Sequence, residues 1–134
     1  MKQSLIDQIW DRALNRCEYC LFPALHAWLP FQIDQIIAEK HGGVTHADNL
    51  ALSSYYCNSF KGPNIAGIDP DGAPEIAVHL LHPRHQVWSE HFEWKGAALS
   101  GLSPAGRATI SVLRINDSDA IEFRQLLLET GYEF

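Results

Sequence analysis

Residues 31–61 read FQIDQIIAEKHGGVTHADNLALSSYYCNSFK, and the order of letters in that stretch sets the fold. The run from Phe31 to Ile37 carries β-branched residues at Ile33, Ile36 and Ile37, which predicts a strand. Gly42 and Gly43 punctuate it as a loop. Leu50 and Leu52 then predict a short second strand, and the segment from about Ser54 to Lys61 predicts a helix stopped by Gly62 and Pro63. Strand, loop, strand and helix follow one another within about thirty residues.

Upstream, Leu5, Ile6, Ile9, Trp10, Ala13 and Leu14 recur at helical spacing behind Ser4, predicting a first helix with Ser4 as N-cap that ends near Asn15. Arg16 to Pro30 is irregular, and its Phe22, Leu25, Trp28 and Leu29 are expected to pack on the core. Downstream, a Gly/Pro/Asp-rich stretch (GPNIAGIDPDGAP) leads into a mixed segment through Trp94 that carries no single periodicity. Ser103 and Pro104 read as the N-cap and first position of a helix running to about Ile115. A last helix is predicted over Ala120 to Thr130, with Ile121, Leu127 and Leu128 buried and Gly131 as its stop.

The chain has 134 residues, 46% of them hydrophobic, which fits one α+β domain with one core. No stretch approaches the roughly 20 apolar residues a membrane helix needs, and MKQSLIDQIW is interrupted by Asp7 where a signal peptide would stay apolar. A soluble, cytoplasmic protein is expected. The three cysteines cannot all pair within one chain, and Cys17 and Cys20 have the spacing of a metal knuckle. The net charge of -6 is uneven: residues 1–67 carry five basic and six acidic residues, and residues 68–134 carry five and ten. That balance argues against strong non-specific affinity for nucleic acid, although a bound metal would add positive charge locally.

Cys17-x-x-Cys20, Ile33-Asp34-Gln35-Ile36, His41-Gly42-Gly43, Asp48-Asn49-Leu50-Ala51-Leu52, and Cys57-Asn58 with Lys61-Gly62 occur in that order, and together they resemble the HNH endonucleases. The variety most similar is the small stand-alone bacterial, often cyanobacterial, kind. Five short motifs in order, at compatible loop lengths, imply a ββα-metal core at about residues 31–62 with flanking N-terminal and C-terminal helices.

The resemblance implies roles for particular residues. Asp34 and Asn58 would hold a divalent ion, Mg²⁺ suiting the hard oxygen donors and Mn²⁺ being the other expected ion. Asn49 would brace the loop and orient the base. The general-base position, histidine in the family, is Gln35 here. Histidine serves because its ordinary pKa of about 6.5 lies near operating pH. Gln35 can orient a water but cannot hold its proton, so the expected activity is impaired hydrolysis of DNA phosphodiester bonds, with RNA not distinguished from DNA. The other reading is an inactive HNH-fold module that binds nucleic acid or protein. His41 and His46, in the adjacent loop, are the candidates for a surrogate base.

In the cysteine-bearing variety two Cys-x-x-Cys pairs clamp a structural Zn²⁺. Here the second pair is incomplete, with Ser54 at its first position and Cys57 at its second. Cys17, Cys20 and Cys57 then leave three readings open: a site completed by a histidine such as His26, a weakened site completed by water, or three buried thiols with no metal. Lys61, Arg84 and Arg107 are the candidate phosphate contacts. Pro83 interrupts the group His79, His82, His85 and His91, so no single helix presents them on one face. The tryptophans are expected to pack in the core rather than stack on bases.

Overall fold

The computed structural model describes residues 1–134. The chain divides into two compact units, one formed by Met1–Ile65 with His82–His85 and the other by Ala66–Leu81 with Gln86–Phe134.

In the first unit, helix α1 covers Gln3–Arg12. Its N-cap is Lys2 rather than Ser4, and no side chain caps it. Ile9 and Ala13 of this face pack with Leu50 and Leu52, and Leu5, Trp10, Phe31 and Ile33 close around them. Strand β1 is shorter than predicted, Gln32–Gln35, and β2 is the short strand expected, Leu50–Ser53. They pair antiparallel, with Asp34 opposite Ala51 and Gln35 opposite Leu50. Side chains alternate across a strand, and the pleat that buries Asp34 leaves Ile33 and Gln35 half-exposed. Helix α2, Tyr55–Lys61, begins at Ser54, whose hydroxyl accepts from the Cys57 amide, and stops at Gly62 with φ +50°.

Three expectations for the irregular segment fail. Leu29 is 39% exposed, Leu25 is 87% exposed and Trp28 is 92% exposed, so none of them anchors the segment to the core. Buried Tyr19, Cys17 and Cys20 do so instead, with an isolated bridge between Arg16 and Pro23. Apolar character gives a side chain a preference for burial but no place in the core, and this short stretch fills its available places with the knuckle residues.

In the second unit the segment without clear periodicity resolves into two small antiparallel hairpins, β3 (Ala66–Ile68) with β4 (Ala77–His79) and β5 (Phe92–Lys95) with β6 (Ala98–Gly101). Helix α3, Pro104–Val112, starts at Ser103 as the sequence predicts and packs on β3, β4 and β6. Helix α4 covers Ser118–Glu129. Its Arg124 is buried and donates to the carbonyls of Ala97 and Ile115, at 2.7 and 2.8 Å. Trp88 lies against Phe92 and Trp94, matching the packing role expected of these two tryptophans, whereas Trp28 is exposed.

The loop joining β1 to β2 depends on one small residue. A Cβ at Gly43 would lie 1.7 Å from the Ile37 carbonyl oxygen and 2.9 Å from the Asn49 carboxamide nitrogen. Gly43→Ala therefore has to push the loop away from Ile37, at a cost of about 2 kcal/mol. Urea unfolding should show a lower midpoint with an unchanged slope; an unchanged midpoint would mean that the loop is not held against Ile37.

Candidate functional site

Asp34 is the inward residue of β1 and only 5% exposed, so its carboxylate must find partners inside the protein. Tyr19, between the two knuckle cysteines, donates its hydroxyl to Oδ2 at 2.8 Å. Lys61, the last residue of α2, places its ammonium 3.1 Å from Oδ2 and 3.3 Å from Oδ1. The same ammonium donates to the Gln35 carbonyl at 3.2 Å. Lys61 is itself 1% exposed. Burial pushes the Asp34 pKa up, and the opposing pulls of Lys61 and Tyr19 do not fully offset it. Burial, followed by the charge of Asp34, pushes the Tyr19 hydroxyl well above the ordinary range, so it stays a donor. Asn58 lies one helical turn before Lys61, half-buried on the same stripe of α2.

The Gln35 side chain is half-buried, and its amide nitrogen donates to the Thr45 hydroxyl at 3.0 Å. His41 ends a 3₁₀ turn, Glu39–His41, and is exposed. His46 caps the next short turn: its Nδ1 accepts from the Asp48 amide at 3.1 Å. Asn49 supplies three bonds to the loop. Its Oδ1 accepts from the Ile37 amide, and its Nδ2 donates to the carbonyls of Ile37 and Val44, each at 2.9 Å. Those bonds hold the two ends of the loop together beside Gln35.

The sulfur atoms of Cys17, Cys20 and Cys57 all lie within 4.8 Å of one another, and all three residues are buried. The Ser54 hydroxyl is 4.0 Å from the Cys20 sulfur. Burial opposes charge on Cys17, but hydrogen bonds from the Cys20 and Cys57 thiols outweigh it and bring its pKa well below the ordinary value. The hydrogen bond to Cys17 pushes Cys20 up to about 12, and Cys57 is raised for the same reason. Soft, converging thiolates suit Zn²⁺. His26 lies exposed on the turn Ala24–His26 and is not part of the group; Ser54 is the polar side chain beside the thiols.

The three basic residues expected to meet phosphate each meet a carboxylate instead. Lys61 is buried on Asp34. Arg84 is bound to Glu18, and burial followed by the neighbouring Arg12 charge lowers its pKa to about 10. In the second unit Arg107 grips Asp69 with two bonds of 2.9 Å. Sequence reasoning missed Tyr19, Thr45 and Glu18 as partners. A tyrosine inside a Cys-x-x-Cys knuckle was the one available signal, since an aromatic residue between two buried cysteines has to be accommodated.

No match is found among curated proteins or among solved structures. Residues 17–64 match the family described as HNH endonuclease. The matched segment runs from the first knuckle cysteine through the helix that ends in Lys61, so β1, β2, α2 and the thiol trio all lie within the part of the chain that is similar to the HNH endonucleases.

Proposed function

We propose that the chain acts on DNA as an HNH-type endonuclease whose phosphodiester hydrolysis is strongly impaired. One observation supports this reading: Gln35, which the resemblance puts at the general-base position, carries a carboxamide that donates to the Thr45 hydroxyl and has no nitrogen able to take a proton. In-line attack on phosphorus needs a group that accepts that proton near neutral pH. The carboxamide oxygen of Gln35 can accept a hydrogen bond from the water and aim it, and Asn49 keeps the loop beside it in register. The proton then has to leave to solvent, or to the exposed His41 if substrate brings that ring close. His46 is the poorer surrogate because its Nδ1 already caps a turn.

The divalent ion that such chemistry calls for does not fit the donor set as arranged. Asp34 offers a single carboxylate, both of whose oxygens face the Lys61 ammonium, and Asn58 adds only a neutral amide. This favours, as a second reading, a non-catalytic HNH-fold module that binds nucleic acid or protein. With Lys61, Arg84 and Arg107 all tied to acids, binding to nucleic acid would rest on other groups and be weak. For the thiol trio we propose a structural Zn²⁺ held by Cys17, Cys20 and Cys57, with water as the fourth ligand in place of the missing cysteine.

Plasmid cleavage in Mg²⁺ and in Mn²⁺ separates the two readings. Under the first, Gln35→His cleaves faster than the native chain, by up to the roughly 10²- to 10⁴-fold that a positioned general base contributes. Cleavage by neither protein leaves the second reading. If the first reading holds with Asp34 as metal ligand, Asp34→Ala abolishes the cleavage.

The zinc proposal has a separate test in Ser54→Cys. Completing four thiolates should strengthen retention of zinc against a chelator by on the order of tenfold or more, the scale at which even outer partners of a metal site act. Without metal the same variant should lose about 1 kcal/mol, because the serine caps α2. Protein purified without zinc, and showing no such gain in Ser54→Cys, would leave the trio as three buried thiols.

A further inference from the structure

An ammonium group can donate three hydrogen bonds, and that of Lys61 has three acceptors: Asp34 Oδ1 at 3.3 Å, Asp34 Oδ2 at 3.1 Å and the Gln35 carbonyl at 3.2 Å. All three acceptors sit on neighbouring residues of β1. The remaining partner of the carboxylate is the Tyr19 hydroxyl. One negative and one positive charge are thus enclosed together, at 5% and 1% exposure.

We propose that the Lys61 ammonium is the resident cation of this pocket. It stands on the carboxylate that would otherwise draw a divalent ion, so that Mg²⁺ and Mn²⁺ are excluded from Asp34 while Lys61 is in place. Three features of the pocket support this. Both carboxylate oxygens already face a positive charge, so an incoming ion would meet repulsion before it met a free ligand. Ejecting the ammonium would strip it of every acceptor it has, and a buried unpaired ammonium is costly. Adding a divalent ion while keeping Lys61 would leave a net charge of two positive units in an enclosed space with one carboxylate, whereas the present pocket is neutral. Lysine suits the task as a compact point charge on a long stem, reaching from the end of α2 to β1 with its methylenes buried.

The proposal takes Asp34 as the acid position of the HNH domain but does not depend on any cleavage. Its test is binding of Mn²⁺ alone to the full chain, followed by the loss of the free-ion signal in electron paramagnetic resonance. The native protein, Lys61→Met, Asp34→Asn and the double variant are compared. Lys61→Met should bind Mn²⁺ at least about tenfold more tightly than the native chain, the low end of the scale on which groups around a metal ligand change affinity. The gain should vanish in the double variant, and the native chain should be indistinguishable from Asp34→Asn. The proposal is overturned if native protein takes up Mn²⁺ through Asp34, or if Lys61→Met gains nothing while folded. Should Lys61→Met fail to fold, the comparison of native with Asp34→Asn still decides, with Lys61→Gln as the alternative neutral variant. Absence of cleavage in every protein would remove the nuclease reading and leave this outcome untouched.

Discussion

The Asp34 carboxylate is where three separate pieces of chain are forced to agree. Its strand buries it, and a buried carboxylate left alone would be neutralised or expelled. Tyr19 reaches it from the cysteine knuckle and Lys61 from the end of α2, so the knuckle, the hairpin and the helix share one ionic junction. Burial still raises the Asp34 pKa against the pull of both partners, which marks the junction as a costly one. Buried pairs of this kind contribute little net stability, yet losing one partner strands the other at a cost of about 3–5 kcal/mol. The junction therefore fixes where the three pieces meet more than it stabilises their meeting.

The same economy of charge governs the outer edge of β2. Arg12 donates to the Leu50 carbonyl, Glu18 accepts from the Leu52 amide through its side chain, and the Glu18 amide donates to the Leu52 carbonyl. A two-stranded sheet has an exposed edge that invites pairing with another chain, and here side chains close it. Glu18 then binds Arg84, so two of the unit's arginines stand along that edge rather than out in solvent. With Lys61 turned inward, few cations of this unit remain to meet phosphate. The formal charge of -6 points the same way.

The core of the domain was legible because its punctuation was local. Gly42, Gly43, Ser54, Gly62 and Pro63 marked the boundaries of β1, β2 and α2, and the motif order supplied the rest. Asn49 could be expected in the loop from its place before Leu50, and it is there. What stayed hidden was pairing over long separations. A lysine at the end of a helix reads as solvated, and nothing nearby in sequence signals an aspartate 27 positions away. Trp28 and Leu25 mislead for the opposite reason, since their hydrophobicity carries no address. The hairpins of the second unit escaped because strands of three and four residues are too short to display a period of two.

Gln35 and Lys61 affect different requirements of one reaction. A base at position 35 supplies a proton acceptor, and a cation at Asp34 supplies charge opposite the phosphate; hydrolysis needs both in the same encounter. Requirements that act as a unit do not contribute additively. If Lys61 holds its place when DNA binds, restoring a histidine at 35 alone gains less than a general base normally gives, because the water it activates faces a phosphate without its counter-charge. If the ammonium itself can turn toward the phosphate, it replaces part of that charge, and the histidine regains most of its value. The size of the gain at position 35 thus reports on the freedom of a lysine 26 residues further along the chain.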